Sequence, residues 1–234
     1  MKILGIMLPK LFSKWVICRG CLRPMPDGGE AGLCGACWDG LWHLTDDRCP
    51  KCALPHGGDR ECPDPVAWEH GDALWNYRGG RPPIGSLLIN GIKSGERGWK
   101  NALLKRLAQS QLPPWASSVD MVTSAPPSPL HKFLRGFDLA MEAAQTISDM
   151  VGSPYARTLG KTLFAGRQAK RTESQRRKMP QKIMYVRKGA QISGKTILII
   201  DDVWTTGTTL LRCAKALKNA GAKEIRVLSL FRAI

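Results

Sequence analysis

The stretch that most restricts what this chain can fold into is "ILIIDDVWTTGTTL", residues 197–210. Aliphatic residues run straight into two adjacent carboxylates, then into threonines set around a single glycine. Such a run reads as a buried strand, and a buried strand leading into a helical segment belongs to an α/β sheet. In open sheets of that kind, ligands sit beyond the carboxyl ends of the strands. Asp201 and Asp202 occupy that place, and Thr205, Thr206, Gly207, Thr208 and Thr209 follow them. A helix start offers unpaired N–H groups and a partial positive charge, so this loop suits a phosphate. The threonine hydroxyls add donors, and Gly207 lets the backbone approach closely. The carboxylates suit sugar hydroxyls about a ribose width away, directly or with a magnesium ion nearby. A capped helix start with two solvated acids would explain one threonine but not the whole set. The combination describes a phosphorylated ribose.

The remaining segments support the α/β reading. "DALWNY" (72–77), "VDMVTSAPPSP" and "KEIRVLSLFRAI" read as strands. "PIGSLLINGIKSGERG", "WKNALLKRLAQSQL" and "GFDLAMEAAQTISDMVG" read as helices, the last with Asp138 near its start and Gly152 just past its end. Strands alternating with helices predict a mainly parallel sheet over residues 71–234. Cys213 falls on a helical face with Leu210, Ala214 and Leu217 and reads as core.

Residues 1–70 have a different character. Seven of the eight cysteines lie between positions 18 and 62. Cys18, Cys21, Cys34 and Cys37 form two C-x-x-C pairs, the spacing that turns four thiolates toward one tetrahedral zinc ion. Four cysteines leave no open position, so the zinc is read as structural. A disulfide scaffold, the alternative, fits poorly with a chain whose other residues can build a core. Cys49, Cys52 and Cys62 supply three further thiolates, with His56, His70 or Asp64 as the fourth ligand. A second metal site and a decayed knuckle packed beneath the first are both open.

Charge adds a partner class. Against 19 acidic residues stand 35 lysines and arginines, a net charge of +16, which favours polyanions. Residues 161–188 carry ten of those cations and only Glu173 as an acid. They read as a loop, with Lys170, Arg171, Arg176, Arg177 and Lys178 as its basic core. No apolar run approaches the roughly 18–20 residues that span a bilayer. "MKILGIMLPKLFSKWVIC" is broken by Pro9, Lys10 and Lys14 and reads as an amphipathic lead-in, which places the protein in the cytosol.

"ILIIDDVWTTGTT" resembles the phosphoribosyl pyrophosphate (PRPP) signature of type I phosphoribosyltransferases over its full length. With C-x-x-C pairs ahead of it, the whole chain resembles the ComF family of competence proteins. Lys93 in "INGIKSGERG" stands at the family's lysine, and "VDMVTSAP…RGFDLA" resembles the family's "D-x-V-P-V-P…RGFNQA". Gln168 and Arg176 fit a spaced Gln…Arg pattern. Ser124 replaces the first proline of the loop, Asp138 and Leu139 replace an Asn-Gln pair, and Met179 replaces an asparagine.

The resemblance implies a type I phosphoribosyltransferase fold behind a zinc-ribbon-like module. It implies PRPP and magnesium bound by Asp201, Asp202, Thr205–Thr209, Lys93, Ser124 and Ala125, with the two aspartates as catalytic residues if transfer occurs. It also implies single-stranded DNA and DNA-uptake proteins as partners, in natural transformation. An active transferase with an unidentified acceptor and a PRPP-responsive regulator are the other functions that such a site allows.

Overall fold

The computed structural model describes residues 16–25, 27–41, 44, 47–56, 62, 66–127, 137–162 and 184–234. In chain order these form strands β1 (Val16–Ile17) and β2 (Pro24–Met25), helix α1 (Gly35–Asp39), β3 (His70–Asn76), α2 (Ile84–Lys93) and α3 (Arg97–Leu107). A short 3-10 turn at Pro114–Ser117 precedes β4 (Met121–Ser124) and α4 (Leu139–Val151). Then come β5 (Leu159–Lys161), β6 (Met184–Val186), β7 (Thr196–Trp204), α5 (Thr208–Asn219) and β8 (Glu224–Arg232). The main sheet runs β3-β8-β7-β4, with every neighbouring pair parallel.

β7 lies inside that sheet, and Ile197, Leu198, Ile199 and Ile200 are fully buried. Their alternation sends side chains to two separate cores. Leu198 and Ile200 face α2, α3 and α4, meeting Leu88, Ile92, Leu103 and Ile147. Ile197 and Ile199 face α5, meeting Leu210, Cys213, Ala214 and Leu217. Cys213 is core, as its helical spacing predicts. Burying both faces is what a parallel sheet requires, and it explains the unbroken aliphatic run.

The helix ends follow from local chemistry. The Asp138 carboxylate caps α4 by accepting the Met141 N–H at 3.2 Å, and Gly152 closes the helix at φ 69°. The sequence reading ended the strand of "GKTILIIDD" at the two carboxylates. The observed strand continues to Trp204, because Asp201 pairs with Ser229 and Val203 with Phe231 in the ladder to β8. The basic segment, read as a loop throughout, starts and finishes in strands: β5 and β6 pair antiparallel, with Lys161 opposite Met184.

The cysteine-rich residues dock onto this framework at α3 and along β3, among other contacts. Trp99 of α3 donates its indole N–H to the Ala31 carbonyl at 2.6 Å, while Arg19 lies 4.4 Å over the ring. The same ring rests on Gly91 of α2, where a Cβ would come within 2.2 Å of it. Leu44, Arg48 and Pro50 meet the edge strand β3. There Leu44 N–H donates to Leu74 O, Gly71 N–H donates to Pro50 O, and Arg48 pairs with Asp72 at 2.5 Å. These contacts cover an edge that would otherwise offer unpaired backbone groups to another chain. Among the described residues, no helix is long and apolar enough to cross a membrane.

Candidate functional site

The carboxyl ends of β7 and β4 open into a cleft of about 390 Å³ lined by Ile92, Lys93, Ala125, Pro126, Pro127, Phe137, Asp138, Leu139, Ala140, Lys161, Asp201, Asp202, Val203 and Thr209. Asp201 is buried, whereas Asp202 is part exposed and lies 3.7 Å from the Lys93 ammonium. Lys93 arrives there as the last residue of α2, which is held to α3 through Gly91 and Trp99. Beyond the strand, Thr205, Thr206 and Thr208 are exposed. Gly207 caps α5 in the left-handed region at φ 70°, where a Cβ would meet the Trp204 indole nitrogen at 2.8 Å. Only glycine adopts that turn without strain. The hydroxyls of Thr206 and Thr208 are 2.9 Å apart, so the loop presents clustered donors at a helix start.

Electrostatics divide the two acids. Burial, and then the neighbouring Asp202 carboxylate, push the Asp201 carboxyl well above its ordinary range. The Asp202 N–H bonded to Asp201 Oδ1 at 2.9 Å and the nearby Lys93 pull the other way and are outweighed. In the ligand-free cleft Asp201 is therefore held toward its protonated form, and a cation beside it would relieve the cost of its charge.

Of the residues singled out from sequence, Lys93, Ala125, Asp201, Asp202 and Thr209 line one cleft, and Thr205–Thr208 adjoin it in the same loop. Ser124 does not line it: its buried hydroxyl pairs with the Tyr155 hydroxyl at 3.1 Å. Lys170, Arg171, Arg176, Arg177 and Lys178 lie outside the described residues, as do Gln168 and Met179. Sequence reasoning did not single out Lys161, Phe137 or the Pro126–Pro127 wall as cleft residues. Lys161 carried a signal, being the first cation of the basic segment, but only the β5–β6 pairing brings it to the cleft.

The cysteines form two groups. The ligand atoms of Cys18, Cys21, Cys34 and Cys37 all lie within 4.8 Å of one another. Cys18 and Cys37 sulfurs are 3.6 Å apart and Cys21 and Cys34 sulfurs 3.7 Å, close to the edge of about 3.8 Å in a tetrahedron of zinc–sulfur bonds. Burial opposes ionisation of Cys18, but N–H groups of Cys34, Cys21 and Gly20 aimed at its sulfur prevail and bring the thiol down to about 6. A thiolate held this way is prepared for a metal.

Cys49, Cys52, His56 and Cys62 form the second group within the same limit. His56 is thus the imidazole that stands with the three cysteines. His70 stacks on Trp115 at 5.7 Å instead, and Asp64 lies outside the described residues. Cys52 Sγ and His56 Nε2 are 2.9 Å apart, a separation that a bound ion would widen. Both sets fit structural zinc in donor type and number.

Comparison with known proteins gives two domain families. Residues 139–234 match the phosphoribosyl transferase domain, and residues 3–65 match the double zinc ribbon domain. Over 237 residues the chain is 24% identical to DNA utilization protein YhgH of Salmonella typhi, covering 97% of this chain and 95% of that protein. It is 46% identical over 48 residues to competence protein ComFC of Streptococcus pneumoniae, covering 20% of this chain and 21% of that one. A similar local match, 46% over 43 residues, covers 18% of this chain and 21% of orotate phosphoribosyltransferase from Oceanobacillus iheyensis.

Two outcomes follow from this geometry. Elemental analysis of the purified full chain should give two zinc ions, one for each cluster. Cys34→Ser should lose the first and His56→Ala should weaken the second, and a folded, zinc-free wild type would refute both assignments. For Asp201, the raised carboxyl means that the fold favours the protonated form. Stability of the ligand-free protein therefore falls as pH rises from the ordinary aspartate value of 3.8 through the raised one. Asp201→Asn keeps the acceptor for the Asp202 N–H and has no charge to bury. Its thermal midpoint should exceed that of wild type at neutral pH, by about 2–4 °C per kcal/mol recovered. The gap should close toward the ordinary aspartate range in scanning calorimetry.

Proposed function

We propose, for a chain that belongs to the ComF family and carries a double zinc ribbon ahead of a type I phosphoribosyltransferase domain, that the cleft beyond β7 binds PRPP with magnesium. The observation that carries this reading is one cleft holding two kinds of recognition chemistry. Asp201 and Asp202 offer acceptors for ribose hydroxyls, while the Thr205–Thr209 loop offers hydroxyls and a helix N-terminus to the 5′-phosphate. Lys93 and Lys161 bring cations to the same cleft, where the pyrophosphate and its magnesium add further charge. In transfer, negative charge would grow on departing pyrophosphate, and lysines fixed in place stabilise it without reorganising.

Residues 1–70 act in this reading as a zinc-dependent support and residues 71–234 as the ligand-binding domain. The eight unbridged cysteines suit a cytosol that keeps thiols reduced. The likeness to a DNA utilization protein and the net charge of +16 support a role in handling incoming DNA, with single strands as the second ligand. An active transferase is the alternative that the cleft supports specifically. Phe137, Pro126 and Pro127 wall one side of it and leave an apolar surface for an acceptor. Pyrophosphate release from PRPP in the presence of acceptors separates transfer from binding alone.

Asp202→Asn should weaken PRPP binding by roughly one to two orders of magnitude, since hydrogen bonds to a charged group are worth about 1.5–3 kcal/mol. Calorimetry with magnesium present measures this, and an unchanged Kd removes the assigned role. For DNA, log K for a single strand should fall with log salt at a slope of about −0.7 per phosphate neutralised. Replacing Arg176, Arg177 and Lys178 together by alanine should flatten that slope. The same slope in the triple variant places the DNA contact elsewhere, and loss of PRPP binding alone assigns those residues to the ribose site.

A further inference from the structure

Arg232, the last residue of β8, is only 1% exposed. Its guanidinium donates from Nε to the Cys52 carbonyl at 3.1 Å, and from Nη1 to the Trp204 carbonyl at 2.9 Å, the Ala233 carbonyl at 3.1 Å and the Thr205 carbonyl. It also stacks on the Trp204 ring at 4.8 Å. One side chain thus joins the turn of the cysteine–histidine cluster to the end of β7 and the first residue of the threonine loop. A second path runs alongside. The Lys51 carbonyl accepts the Trp68 indole N–H at 2.7 Å, and the Trp68 ring meets Trp204 edge-on at 5.3 Å.

The consequence for the loop comes from peptide geometry. In a planar trans peptide the C=O and the N–H of the following residue point in opposite directions. Turning the Trp204 and Thr205 carbonyls inward onto Arg232 therefore turns the N–H groups of Thr205 and Thr206 away from it. The loop next to the cleft is thereby set to donate. Trp204 contributes from beneath: its ring is buried, its indole N–H has no partner among the described residues, and it lies under Gly207. A shift of the guanidinium would release two carbonyls and rotate two peptide planes at once.

We propose that Arg232 is the positioning residue of the phosphate loop and takes its own position from the Cys49–Cys52–His56–Cys62 cluster. Zinc in that cluster and a phosphorylated ribose in the loop then bind cooperatively. This rests on the PRPP reading for the identity of the ligand, but the link between cluster and loop does not. A metal that fixes the turn at Cys52 fixes the carbonyl that Arg232 needs. A ligand that orders the loop holds Arg232 against the same carbonyl. Linkage then makes the effect reciprocal: the factor by which zinc strengthens PRPP binding equals the factor by which PRPP strengthens zinc binding. Lysine does not replace arginine here, because one ammonium cannot span four carbonyls in a fixed fork.

The test uses the full chain in three measurements. In the first, amide resonances of Thr205–Thr209 are compared between wild type and His56→Ala without ligand. Shifts or broadening there are expected, although His56 belongs to the other end of the link. In the second, calorimetry with PRPP and magnesium should show a loss of about five- to 150-fold in affinity for both His56→Ala and Arg232→Lys. In the third, a chelator removes zinc from wild type and from Arg232→Lys, with and without PRPP. PRPP should protect one zinc ion in wild type by the same factor and protect neither in Arg232→Lys.

A merely structural arginine would lower stability but would not abolish that reciprocal protection. Unchanged loop resonances in folded His56→Ala overturn the proposal, as does zinc loss from wild type that is indifferent to bound PRPP. Should His56→Ala fail to fold, the loop resonances of wild type, followed as chelator takes the first ion to leave and then the second, decide the same point. If wild type does not bind PRPP, the ligand reading fails alone, and the loop resonances still decide the role of Arg232.

Discussion

Burial of β7 between β4 and β8 is the constraint on which the rest of this protein depends. A parallel strand covered on both faces must be aliphatic along its length, and its polar residues are confined to its end. Asp201 still pairs with Ser229 in the ladder, and its side chain is buried, so its charge is disfavoured. Asp202, one residue on, turns toward Lys93. Two chemically identical side chains thus acquire different environments because successive residues on a strand face opposite ways. Holding Asp201 buried beside Asp202 disfavours its charged form, at some cost to the stability of the empty protein at neutral pH.

The cysteine-rich part packs against both faces of that sheet. Cys18, Leu33, Cys37 and Trp38 share a core with α2, α3 and α4, while Cys49, Cys52 and Trp68 share the core beneath α5. Each cluster therefore supports one face of the sheet, and Leu44, Arg48 and Pro50 meet its β3 edge. A small segment with few aliphatic side chains gains order from two directions, metal ligation within and packing against the sheet. The first cluster lies behind the helix pair that carries Lys93, and the second behind the loop that follows Asp202. Both halves of the cleft consequently have a cysteine knuckle behind them.

What the sequence determined by itself was the chemistry written in short spacings. C-x-x-C pairs, a strand ending in two acids, and a threonine–glycine loop before a helix are each complete within about fifteen residues, because the ligands or donors must converge locally. Strand and helix order was legible for the same reason, since periodicity and caps such as Asp138 and Gly152 are local signals. The end of β7 was misplaced because ladder pairing with Ser229 and Phe231, on another strand, holds Asp201 and Val203 in extended conformation. Only the tertiary structure decided which groups meet across the chain. It chose His56 over His70 beside three cysteines, brought Lys93 to Asp202, turned Ser124 away toward Tyr155, and set Arg232 against Cys52, 180 residues earlier. No spacing rule encodes such meetings, because their geometry is fixed by how two buried faces pack, and a buried arginine looks in sequence like any surface one until its partners close around it.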